Sequence, residues 1–77
     1  MKKIENSECL GKDFGSFIRT ARERKDMFQS EVAELVGITQ PYYSLIERGE
    51  RVVDFVLALK ICKVLQIDIR DFIAKYM

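Results

Sequence analysis

A chain of 77 residues, 48% hydrophobic and 32% charged with a single proline, has the make-up of one small folded domain rather than a disordered tail. Its formal net charge of +1 excludes coating of nucleic acid by bulk electrostatics, so any such contact must come from how the charges are distributed. With no histidine, no Gly-rich phosphate loop and no nucleophile elbow, the chain offers no enzymatic reading, no cofactor and no metal.

Residues 1–12 read as a polar leader, frayed or forming a short extension, and residues 13–77 as the domain. The leader opens on two lysines but lacks the apolar stretch of a secretory signal, so a cytoplasmic location is expected. Cys9 in the leader and Cys62 in an apolar pattern sit in different surroundings and read as free thiols.

The first helix starts at Asp13 as its cap, carries Phe14, Phe17, Ile18 and Ala21 on one face, and ends at Lys25-Asp26. The second runs from Gln29 to Val36, with Val32, Ala33 and Val36 inward and Gly37 as its stop. Thr39 caps a third helix with Pro41 in its first turn, where a missing N–H costs little, and Gly49 ends it.

The fourth helix, Phe55 to about Gln66 behind Asp54, is apolar almost all round. Its longest apolar run, Phe55 to Leu59, falls far short of the about 20 residues that cross a bilayer, so no membrane is involved. Angular counting sets Phe55, Ala58, Leu59 and Cys62 against Leu57, Ile61 and Val64 on nearly the opposite side. Asp68 caps a fifth helix with Ile69, Phe72, Ile73 and Tyr76 in one stripe. No strand pattern or internal repeat appears, so the fold class is all-α, a compact five-helix bundle.

From Gln29 to Arg48 the spacing is particular. Small Ala33 suits a close helix crossing, Gly37 a tight turn, and Val32, Val36, Ile38, Tyr43 and Ile46 grip the core, as two short helices meeting at a steep angle require. The chain here resembles the repressor and Cro-type helix-turn-helix family, from about Phe14 to Ile73. The resemblance is carried by Ile18-Arg19-Thr20-Ala21-Arg22, Gln29-Ser30-Glu31-Val32-Ala33, Gly37-Ile38-Thr39-Gln40 and Ile46-Glu47-Arg48-Gly49-Glu50-Arg51.

The resemblance implies double-stranded DNA as partner, transcription regulation as function, and the third helix as the element lying in the major groove. Turning about 100° per residue, that helix points Tyr43 and Ile46 inward and Pro41, Ser44, Leu45 and Arg48 outward, with Gln40 at its leading edge. Thr39, Gln40, Pro41, Ser44 and Leu45 are therefore the expected base contacts. Gln40 is the sharpest of them, because a carboxamide both donates and accepts and so pairs with adenine N6 and N7.

Gln29 at the second helix's N-terminus, with Arg48 and Arg51 after the third helix, are the expected phosphate contacts. Phe28 stands where the family has a serine or threonine cap, and Glu50 where it often has lysine. The resemblance also implies a structural ion pair between Arg22 and Glu47.

The stripe Leu57, Ile61 and Val64, with Val52, Val53, Tyr76 and Met77, is expected to form a homodimer interface, so that two recognition helices read a near-palindromic operator. The alternative is an antitoxin or other protein-interaction module whose helix-four stripe caps a protein partner.

Overall fold

The computed structural model describes the backbone of residues 7–76 and the side chains of residues 11–76; leader residues 1–6, the Cys9 thiol and Met77 lie outside the described residues. Five helices follow one another: α1 Ser7–Arg24, α2 Gln29–Val36, α3 Gln40–Glu47, α4 Phe55–Leu65 and α5 Ile69–Ile73, with a 3-10 turn Ala74–Tyr76 behind α5. The fold is all-α, and α2 and α3 form the helix-turn-helix.

Three of the expected caps are in place. Thr39 Oγ1 accepts from the Tyr42 N–H at 3.3 Å, Asp54 Oδ1 from Leu57 at 2.7 Å and Asp68 Oδ1 from Arg70 at 2.9 Å. Each satisfies one backbone donor that a helix start leaves without an intrahelical partner. Gly37 closes α2 at φ 91°, a left-handed conformation that a side chain resists, and its N–H bonds the carbonyl of Ala33 at 2.9 Å.

The fourth cap is different. α1 begins at Ser7, so Asp13 lies inside the helix rather than at its start, and its carboxylate accepts the Tyr76 hydroxyl. Packing explains the extra length. Gly15 lies against the end of α3, where a Cβ would stand 2.2 Å from the Glu47 carbonyl oxygen, and Gly11, one turn earlier on α1, lies against Gly49 in the turn that follows. Gly49, at φ 76° in the turn after α3, leaves equally little room, since its Cβ would stand 2.7 Å from Lys12 Cα.

One core holds the bundle. Phe14, Ile18 and Ala21 enter it from α1, Val32 and Ala33 from α2, Tyr43 and Ile46 from α3, and Phe72 from α5. From α4 the buried residues are Ala58, Ile61, Cys62 and Leu65, at the i, i+3, i+4, i+7 spacing of one helix face. This corrects the assignment of Ile61 to a dimer interface, because its side chain is 0% exposed.

The two apolar groups counted on α4 are the two flanks of the inward face, which bisects them. Leu57 and Val64 on one flank are half-buried against the core, whereas Phe55 and Leu59 on the other are exposed at 65% and 39%. Tyr76 also serves the fold, its ring 5.5 Å from that of Phe72. Among the described residues no helix is long and apolar enough to cross a membrane, and no group of side chains could hold a metal ion.

Candidate nucleic-acid interface

The N-termini of α2 and α3 are joined by their first residues. Gln40 Nε2 donates to Gln29 Oε1 at 2.9 Å, and Gln29 Nε2 donates onward to Glu47 Oε1 at 2.9 Å. Glu47 is in turn held by Arg22, whose Nε reaches Oε2 at 2.7 Å and whose Nη2 reaches Oε1 at 3.1 Å. Arg22 also donates from Nη1 to the Met27 carbonyl at 2.8 Å, which ties down the turn leading into α2. An unbroken polar chain thus runs from α1 to the leading residue of α3.

Its inner end is dry and its outer end is wet. The side chains of Arg22 and Glu47 are 13% and 2% exposed, whereas Gln40 is exposed. Burial is the largest influence on Glu47 and opposes its ionisation. The hydrogen bond from Arg22 leads the contributions that outweigh it, and the carboxyl stays below the ordinary glutamate range. Burial, then the neighbouring Glu47 carboxylate, pushes the Tyr43 phenol well above its usual range.

Around Gln40, Thr39 and Pro41 are exposed on the same leading edge. Ser44 and Leu45, expected to face outward, are half-buried. After α3 the chain turns back, the Glu50 N–H bonding the Leu45 carbonyl at 2.9 Å. Arg48 and Arg51 are exposed beside this helix, Arg48 Nε lying 3.3 Å from Glu50 Oε2.

At the start of α2, Phe28 supplies no side-chain cap. The Glu31 carboxylate accepts the Phe28 N–H at 2.8 Å instead, so one donor is satisfied at the cost of a negative charge near a helix end suited to anions. Gln29 is a bridge inside the protein as well as an edge residue. Sequence reasoning missed that bridge, and its only signal was a glutamine opening each of two successive helices.

Comparison with known proteins points one way. A family model described as helix-turn-helix matches residues 18–72. YgzD of Bacillus subtilis, described as an uncharacterized HTH-type transcriptional regulator, is 35% identical over 54 residues, covering 70% of this chain and 82% of its own. Among solved structures, the clp gene regulator ClgR of Corynebacterium glutamicum superposes with a TM-score of 0.81 at 28% identity, over 84% of this chain and 69% of that one. The restriction-modification controller protein C.AhdI of Aeromonas hydrophila gives 0.80 at 31% identity, over 87% of this chain and 97% of that one.

Proposed function

We propose, from the premise that this chain belongs to the helix-turn-helix family, a mode of action for it. It is a sequence-specific DNA-binding transcriptional regulator, and α3 is the element that enters the major groove. The observation that carries the mode of action is the Gln40–Gln29 hydrogen bond. One hydrogen of the Gln40 amide is committed to Gln29, which fixes the plane of the carboxamide. The other hydrogen and Oε1 are left to adenine N7 and N6, the acceptor and donor that this base alone presents side by side in the groove. Thr39 and Pro41 line the same edge, with Ser44 and Leu45 deeper along the helix. Gln29, Arg48 and Arg51 face the phosphates, where they set register rather than sequence preference.

The unit of action is a homodimer on a near-palindromic operator in the cytoplasm. Support comes from an apolar surface that no element among the described residues covers: Val52, Phe55, Val56 and Leu59, the first three exposed at 73%, 65% and 61%. Phe55, Val56 and Leu59 lie on one side of the start of α4, and Val52 belongs to the segment that leads into it. Leu57 and Val64 border the core instead, with Val53 half-buried beside them. A second copy on this surface would present two α3 helices for half-sites about 34 Å apart.

Selection of bound duplexes from random sequence tests the whole reading, with Gln40→Ala as the control. The variant should bind the selected site about 1–3 kcal/mol more weakly and bind unrelated duplexes unchanged. Equal binding of the selected site by both proteins would remove Gln40 as a reader.

A further inference from the structure

The two arginines after α3 stand in different states. Arg48 is paired with Glu50, while Arg51 makes no ion pair among the described residues and lays its guanidinium carbon 5.5 Å from the centroid of the Tyr42 ring. Tyr42 belongs to the first turn of α3, and its own N–H is bound by Thr39 Oγ1 at 3.3 Å. The ring is half-buried and packs on the core, so it is a fixed platform at the helix that reads DNA.

A guanidinium held over an aromatic face by its charge keeps N–H donors free to bond other groups. A phosphate fits that edge, since two of its oxygens match two parallel N–H donors. A long arginine side chain loses rotamer freedom when it docks, and one already held over a ring has less to lose.

We propose that Tyr42 is a positioning residue for DNA binding: it holds Arg51 with its donor edge set for a backbone phosphate. The proposal rests on the reading of Arg51 as a phosphate contact, and each part has its own measurement. Affinity for a labelled mixed-sequence duplex of about 20 base pairs, enough for two half-sites, is measured across a range of salt concentrations. Arg51→Gln should reduce the slope of log affinity against log salt by about one. An unchanged slope overturns the phosphate contact itself, and the proposal with it.

Where the slope does fall, Tyr42→Leu should weaken binding about threefold with the wild-type slope kept, and Tyr42→Phe, which retains the aromatic face, should bind as wild type. In the Arg51→Gln background Tyr42→Leu should cost nothing further. The same loss in both backgrounds, or a Tyr42→Phe protein as weak as Tyr42→Leu, overturns the positioning role. If Tyr42→Leu fails to fold by circular dichroism, Arg51→Lys carries the test, because it keeps the charge and gives up the planar guanidinium. It should lose about threefold with an unchanged slope, and wild-type affinity would overturn the proposal.

Discussion

Glu47 is the residue on which the interface depends without being part of its surface. It accepts from Arg22 on α1 and from Gln29 on α2 while belonging to α3, so one carboxylate links three helices. Removing it would leave the part-buried Arg22 guanidinium without its counter-charge, a change that costs up to about 3–5 kcal/mol. Glu47→Ala should therefore lower Tm well beyond Glu31→Ala, whose carboxylate is exposed and caps a helix end; equal melting temperatures would contradict the buried pair. Acid should act in the same direction. The folded-state pKa of Glu47 is depressed, so its contribution is complete above the unfolded-state value and drains away as pH falls through the folded one. Glu47→Gln should accordingly show a shallower acid loss of stability than wild type in urea melts between neutral pH and the onset of acid unfolding. The pairing with Arg22 was legible only through the family resemblance. The link to Gln29 was not, since glutamine is at home on any surface and declares no partner.

At the scale of the elements, α1 and the end of α3 approach closely. Gly15 has the α3 carbonyl oxygens of Glu47 and Ile46 where its side chain would be, at 2.2 and 2.7 Å from an ideal Cβ. Both obstacles are backbone and cannot rotate away. Gly15→Ala should thus destabilise by about 1–3 kcal/mol, although alanine is the better helix former by about 1 kcal/mol. Thermal denaturation checks the sign, and a higher Tm would mean that the two helices can separate freely. Because the yielding part would be α3, DNA affinity should fall with stability. The glycine at the turn of the helix-turn-helix was readable in advance from its place after an apolar helix. Gly11 and Gly15 were not, because a small residue inside a helix signals a close neighbour without naming it.

At the scale of the molecule, the question is what covers the start of α4. A Phe55→Asp substitution places a charge where the two-fold arrangement would bury an aromatic ring, and symmetry enters it twice. Burial of one such side chain is worth about 1.5–3 kcal/mol, so sedimentation should show the dimer weakened by at least about a hundredfold while the monomer remains folded. A wild-type protein that sediments as a monomer at high micromolar concentration would count against the dimer itself.

Periodicity, caps and turn residues were enough to read five helices and the helix-turn-helix, because each is a local property: a hydroxyl or carboxylate three residues before a donor, an apolar residue every third or fourth place. The inward face of α4 was beyond that reach. A helix apolar almost all round has no polar back to point the other way, and Ile61 went inward only because Ala58, Cys62 and Leu65 share the stripe that meets the other helices. The same holds for the bridge from Arg22 to Gln40 and for the placement of Arg51 over Tyr42. Their members are ordinary surface residue types, and only packing of the helices brings them within bonding distance.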